Sequence, residues 1–553
     1  MNKKTGLIAL IIAVVVGGGA LAFAFLGGST KQDYFKAEFK SVQTMVDDFK
    51  HRYKPELDYY DMTMEHAVEA KSKMTVDMNS QSALLADVPT DLIKDSHIEM
   101  TSQSDMKNKV ADVRVKGEVA GMPLDNIYLR LAQHDLFVQL PFLSEVLTIN
   151  DKKVNELMKE NDPEWTEEMS IDFTEFFDQN ALPADKDMKH VQDAMLKTLY
   201  KNLDDEAFTS TKEKVNVLSE EVNAEKITMD LGPEQLKKAT IAILELVRDD
   251  KTIQKMVKES ITQNAMFEMT STEEMMNDFN NDINEAIEEV KQSTEKPHLV
   301  STIWIADDFI VKRELTMSDD EETAVQVKGD HLRKKDGHTF QYAFGSVEQP
   351  NAFTIQGETK FDGKVTADRI DFAVEDLGTL TYTADETLEK DVRDYKYTFS
   401  VQSDMAIAGE LVWSGKNEYS KDAMKSSQRV GINYEDIKVE DVALIVESDT
   451  KRMKAVSENP TDNIRNLNDM SQDEITTYLE TEFEEVGQIL QGLMMTTMLD
   501  GDMEGAWDEE PMMEFTDADF EEMRAELAED GIEMTDEEFA EWKLEMQEMF
   551  GNE

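Results

Sequence analysis

The hydrophobic pattern begins with one long apolar run. After Lys3 and Lys4, an uncharged stretch extends from Thr5 to Thr30. As a helix, about 21–23 residues cover roughly 30–35 Å, which is the thickness of a bilayer core. The run therefore predicts an N-terminal transmembrane anchor in residues 1–32. The alternative is a cleaved signal peptide, with its small-residue site in Ala20–Ala24.

Under both interpretations, the remainder of the chain is exported. Since the sequence contains no second long apolar run, we predict a single-pass protein of the cell membrane. Its N-terminus is expected to be cytoplasmic and its body extracytoplasmic.

Residues 33–67 show apolar positions at steps of three and four, which predicts a helical stalk. Its apolar side chains include Tyr34, Phe35, Phe39 and Phe49. They are expected to pack on the body that follows; the alternative is a dimerising coil against a second chain.

From residue 68 the period changes to two, which predicts a small antiparallel β region over 68–150 with one solvent-facing side. Its clearest hairpin joins Ile127–Leu131 to Leu136–Leu140 through a turn at His134. Helical spacing returns over 151–297. Residues 298–450 alternate again, with a turn every 8–14 residues or so, which is typical of an antiparallel meander.

A C-terminal helix is predicted in 451–500, from Ser471 to about Leu499. Residues 501–553 form an acidic, Met-rich tail, with 21 acidic side chains against Arg524 and Lys543. The unit Phe515–Phe520 is repeated at Met534–Phe539, and each Thr in it is suited to cap a short helix. The predicted fold class is therefore α+β: an N-terminal transmembrane helix, two antiparallel β-sheet regions each packed with helices, and an acidic helical tail.

The net charge and the absence of cysteine exclude several classes of function. The chain of 553 residues carries a formal net charge of -60, so phosphate backbones repel it and nucleic acid is not an expected partner. The absence of cysteine excludes disulfides, thiolate metal sites, cysteine nucleophiles and a lipidated cysteine anchor.

The sequence contains no phosphate-binding loop, nucleophile elbow or His-Glu-x-x-His pattern, so we predict no enzyme activity, no catalytic residues and no cofactor. His331 and His338 are near neighbours and are interpreted as a solvated turn. The one metal candidate is a calcium loop with ligands Asp500, Asp502, Glu504 and Asp508. Pro511 occupies the position of its bidentate Glu, so the alternative is a solvated acidic linker.

Several phrases carry a family resemblance: Tyr34-Phe35, Tyr53-Lys-Pro-Glu, Asn223-Ala-Glu-Lys-Ile-Thr-Met-Asp-Leu and Ile310-Val-Lys-Arg-Glu-Leu. Together with the N-terminal span, they resemble a family of uncharacterised, membrane-anchored extracytoplasmic proteins of Gram-positive bacteria over roughly residues 1–500. The resemblance implies no activity and no catalytic residues, and the acidic tail lies outside it. The fold pattern is more distantly similar to envelope lipoproteins in which a curved antiparallel sheet wraps helices around an apolar cavity.

These patterns predict a non-enzymatic envelope protein that binds an apolar ligand or lipid in a cavity between sheet and helices. The alternative is a scaffold or sensor ectodomain that binds a protein partner through the acidic tail. A third hypothesis is a hydrolase without a recognisable motif. The expected partners are the membrane, through the N-terminal helix, the ligand, and the protein that the tail contacts.

Overall fold

The structure is a computed structural model that describes residues 28–79, 93–94, 96–119, 121–161, 165, 170–179, 185–268, 272–318, 324–403, 408–434, 438–439, 441–479, 481 and 539. Contacts divide the chain into one unit up to Ile475 and a second from Thr476 to Glu553. Almost all of the second unit lies outside the described residues, and so does the candidate calcium loop.

The helices of the first unit are Thr30–Arg52 (α1), Lys54–Glu65 (α2), Asp151–Asn161 (α3), Glu175–Gln179 (α4), Asp185–Asn202 (α5), Pro233–Asp249 (α6), Lys251–Glu268 (α7) and Thr272–Gln292 (α8). Ser29 caps α1 by accepting a hydrogen bond from the Gln32 amide. Pro55 lies in the first turn of α2, where its missing N–H costs nothing.

The strands are Val68–Met78 (β1), His97–Asp105 (β2), Val110–Val119 (β3), Met122–Ala132 (β4), Asp135–Gln139 (β5), Val146–Asn150 (β6), Phe208–Val217 (β7), Glu220–Leu231 (β8), His298–Ala306 (β9), Phe309–Ser318 (β10), Ala324–Lys334 (β11), Gly337–Ser346 (β12), Phe353–Phe361 (β13), Val365–Val374 (β14), Gly378–Glu389 (β15), Val392–Gln402 (β16), Gly409–Ser420 (β17), Ala423–Asn433 (β18), Val442–Arg452 (β19) and Ile464–Asn466 (β20).

All the described strands belong to one sheet. The ladders from β7 to β19 follow chain order and are antiparallel. β19 then pairs with β1, and β1 leads through β2 to β6. β20 is parallel to β6. The predicted pair of separate sheets is therefore wrong, because the β1–β19 ladder joins the two predicted β regions.

The prediction of a helical region over residues 151–297 is wrong for residues 208–231. They lie in the region predicted to be helical, but they form the hairpin β7–β8, which pairs with β9. Leu218 and Ser219 make its turn with positive φ angles. The hairpin predicted around His134 is confirmed, and so is the antiparallel meander from β9 to β19.

The main core lies where helices cover one face of strands β8–β11. Its buried side chains include Leu199, Ile243, Leu244, Ile287, Ile227, Met229, Leu299, Ile303 and Leu315. Tyr34 and Phe35 of α1 belong to this core and touch the Phe208 ring edge-on or at a tilt. Packing on the body is therefore confirmed for these two aromatics, whereas Phe49 remains exposed.

Among the described residues, no helix combines the length and apolar character that crossing a bilayer requires. Most of the predicted anchor, residues 1–27, lies outside the described part of the chain. Because no described helix could cross a membrane, we withdraw the predicted localisation as a single-pass membrane protein with a cytoplasmic N-terminus and an extracytoplasmic body.

Candidate functional site

One face of the sheet carries an unbroken row of mostly apolar side chains across many strands. Directly paired residues of antiparallel strands project from the same face. The row is Ile227, Ile303, Arg313, Gly329, Tyr342, Ile355, Phe372, Leu380 and Val401. We call the face that carries it the inner face.

Burial changes along this row. Ile227 and Ile303 are 0% exposed beneath the helices, whereas Leu380 is 39% exposed. The sheet keeps the same apolar pattern after its helical cover ends. Along this row, strands β13–β16 are therefore apolar without being buried.

The next two rows continue the same pattern. One row is Ile370, Tyr382, Phe399, Leu411 and Ile432, and the other includes Tyr397, Trp413, Val430 and Leu444. Leu411 is 41% exposed and Ile432 is 46% exposed. We call the thirteen side chains named in these three rows on β13–β19 the open apolar face.

Its size follows from sheet geometry. Rows lie about 7 Å apart and strands about 4.8 Å apart, so these side chains occupy roughly 400 Å² of the sheet. The largest apolar patch of a typical monomeric protein has a similar size and often has a function. On strands β15 and β16 the opposite face carries the polar side chains Thr381, Thr383, Thr398 and Ser400.

Aromatic rings form the middle of the open apolar face. The ring centroids of Tyr382 and Phe399 are 5.2 Å apart, and those of Tyr397 and Trp413 are 5.7 Å apart. Burial raises the pKa of Tyr382 to about 12, so its hydroxyl stays neutral at physiological pH. The face therefore offers flat apolar surfaces together with neutral hydroxyl groups.

A buried charge network borders the open apolar face. Its Asp368 lies in the row of Tyr397, and its Glu386 lies one row beyond. Arg52, near the C-terminus of α1, contacts Asp368 at 2.7 Å and Glu386 at 3.1 Å. Burial raises the pKa of Asp368, although the Arg52 charge opposes this effect. The first helix is thus attached to strands β14 and β15 by paired charges.

Arg393 extends the network to the second helix. Its Nε donates to Glu56 of α2 at 2.5 Å, its Nη1 donates to Glu386, and its Nη2 donates to the Arg52 carbonyl at 2.7 Å. The Tyr53 hydroxyl donates to Glu386 at 3.2 Å. Because these charges have several partners each, the network can hold the α1–α2 junction firmly on the sheet.

The α1 helix adds apolar surface at this border. Met45, Val46 and Phe49 are exposed on it, and the Phe49 ring lies 4.9 Å from Tyr53. Since Tyr53 also contacts Glu386, the exposed side of α1 adjoins the charge network.

The enclosed space beneath the helices is small. The cavity lined by Phe35, Leu199, Ile243 and Glu38 has a volume of about 20 Å³, which holds one water molecule. Glu38 pairs with Arg313 at 2.5 Å, and burial raises the pKa of Glu38. This cavity is too small for a lipid acyl chain.

His331 and His338 are not the solvated turn that the sequence suggested. His331 is buried, and its Nε2 lies 2.9 Å from His338 Nδ1. His338 also contacts Asp48 of α1 at 3.1 Å. The hairpin β11–β12 brings the two rings together: His331 pairs with Phe340 and His338 pairs with Arg333, so the two histidines are diagonal neighbours on one face of the sheet.

Comparison with known proteins identifies no relative. No family model matches the chain. No curated protein matches it either. The resemblance to a Gram-positive family therefore stays a prediction.

Two solved structures show a distant likeness. One is described as Salmonella typhi OmpF in complex with daunomycin: 6% identity, TM-score 0.18, 70% of this chain and 97% of that chain covered. The other is the CymD monoaromatic hydrocarbon channel: 7% identity, TM-score 0.16, 80% of this chain and 97% of that chain covered. At such TM-scores the likeness supports no argument about fold or function.

Proposed function

We propose that this chain is a non-catalytic protein that binds an extended apolar ligand, such as a lipid acyl chain, on the open apolar face. The observation that carries the proposal is the change of exposure along one row of the sheet, from 0% at Ile303 to 39% at Leu380. When a ligand covers an apolar surface that is exposed to water, the free energy of the system falls.

The border of the face supports the same proposal. Phe49 and its neighbours on α1 add apolar area beside the sheet, and the charge network fixes the helix there. A ligand would therefore meet a surface whose shape exists before binding, which lowers the entropic cost of association.

The test is a titration of the full chain with N-phenyl-1-naphthylamine, a probe that fluoresces in apolar surroundings. We expect saturable binding to the native protein. Leu411→Asn and Ile432→Asn should each weaken it about fivefold, because each removes an apolar contact of about 1 kcal/mol from a half-exposed position. Leu129→Asn, in strand β4, replaces an equally exposed leucine away from the site and should leave binding unchanged.

A long-chain fatty acid that displaces the probe would extend the result to lipids. Equal probe affinity in the native protein and in the Leu411→Asn variant would contradict the proposal, and so would an equal loss in the Leu129→Asn control.

A further inference from the structure

His134, Asp151 and Asp172 meet on a different part of the molecule. They come from three segments: the β4–β5 turn, the first residue of α3 and the loop before α4. The His134 Nδ1 lies 2.6 Å from Asp151 Oδ2 and 3.7 Å from Asp172 Oδ1. The donor atoms of the three side chains all lie within 4.8 Å of one another.

The backbone around them holds these donors in place. The Asp151 amide donates to the His134 carbonyl at 3.1 Å, which joins the turn to the helix. The Asn155 side chain donates to the Ile171 carbonyl and accepts from its amide, each at 2.8 Å. Asp172 is the next residue, so its position relative to Asp151 is fixed by α3.

Burial distinguishes this group from a surface ion pair. The Asp151 side chain is only 8% exposed, and its ionic contact is with an imidazole, not with lysine or arginine. A buried carboxylate needs a positive partner, and a divalent cation can supply that charge.

The donor set and spacing favour one class of cation. Imidazole nitrogen with two carboxylate oxygens suits Zn²⁺ and similar transition metals better than Mg²⁺ or Ca²⁺, which prefer oxygen alone. Bonds of about 2.1 Å in a tetrahedron place donors about 3.4 Å apart, so each donor needs to move by less than about 1 Å. His134 and Asp172 both reach solvent, which leaves room for water ligands.

We propose that His134, Asp151 and Asp172 bind a divalent transition-metal cation of the Zn²⁺ type, with water completing its coordination. The bound cation links the β4–β5 turn, α3 and the loop at Asp172. No other group of three such donors this compact occurs in the part of the chain that the structure describes.

The test is calorimetric titration of the full chain with Zn²⁺, at physiological salt and with millimolar Mg²⁺ to occupy weak carboxylate sites on this acidic protein. We expect a site of one-to-one stoichiometry. Asp172→Asn and His134→Gln should each weaken it at least about tenfold. Asp172 is 46% exposed, so its variant is expected to fold, which a thermal melt without metal will check.

The chain supplies a matched control. His190 contacts Asp250 at 2.8 Å as an exposed His–Asp pair, but it lacks the third donor. His190→Gln should leave the Zn²⁺ affinity unchanged. X-ray absorption at the zinc edge should detect one imidazole ligand in the native protein and none in His134→Gln. An equal loss in His190→Gln, or native binding no tighter than that of His134→Gln, would overturn the proposal.

Discussion

At the scale of single residues, His331 shows how burial changes the chemistry of a side chain. Its Nδ1 lies 3.1 Å from the Tyr342 hydroxyl, and its Nε2 contacts His338 Nδ1. The ring packs edge-on against Phe309. Burial, with a smaller contribution from His338, lowers the pKa of His331 to about 4. The residue is therefore neutral in the folded protein at pH values where an exposed histidine gains a proton.

This difference predicts a pH dependence of stability. An unfolded histidine, with its pKa near 6.5, binds a proton between about pH 6.5 and pH 4, and folded His331 does not. The stabilising contribution is thus present above pH 6.5 and is lost as the pH falls toward 4. Between pH 7 and pH 5 the loss amounts to about 2 kcal/mol.

Urea denaturation at pH 7 and at pH 5 measures this loss of unfolding free energy. His331→Gln should reduce the loss of unfolding free energy between pH 7 and pH 5, whereas His51→Gln, at an exposed position of α1, should retain it. Identical pH dependence in the native protein and in His331→Gln would contradict the assignment.

At the scale of elements, the α1–α2 junction depends on charges that contact strands distant in sequence. Arg52 and Arg393 both pair with Glu386, which is fully buried. The sequence predicted the helices from their apolar spacing, and the confirmed packing of Tyr34 and Phe35 follows from the same pattern. It did not predict the network, because Arg52 and Glu386 are 334 positions apart and no local pattern relates them.

Glu386→Gln should destabilise the fold by about 3 kcal/mol, because it leaves two buried guanidinium groups with less countercharge. Chemical denaturation measures the difference in unfolding free energy. Glu418→Gln in β17 removes a carboxylate whose contact with Lys416 at 2.8 Å is exposed to solvent, and it should have little effect. Comparable destabilisation by the two changes would show that the network contributes no more than a surface pair.

At the scale of the whole first unit, the decisive contact is the β1–β19 ladder, which pairs Val68 with Arg452. Local alternation predicted most strands between residues 298 and 450 correctly. It missed β7–β8, although Ile227, Met229 and Leu231 alternate, since the helical stripes on either side dominated that region. Period alone indicates which residues face a core, but not which distant strand completes the sheet.

A proline in β1 tests this continuity. Met74 pairs with Val446 on one side and with Ile98 on the other. Met74→Pro should cost about 3 kcal/mol or more and should lower amide hydrogen-exchange protection both in β2–β4 and in β17–β19. Loss of protection on one side only would indicate two independently folding sheets.

The ends of this sheet have a consequence for how the protein meets copies of itself. Among the described strands, β7 and β20 each have a single neighbour. β20 is only three residues long, and most side chains along β7 are exposed and polar or charged, including Lys212, Glu213 and Lys214. Short and charged margins discourage strand addition by another molecule. Over the described residues, the sheet thus ends in one short and one charged margin, and both disfavour the growth of an amyloid-like stack.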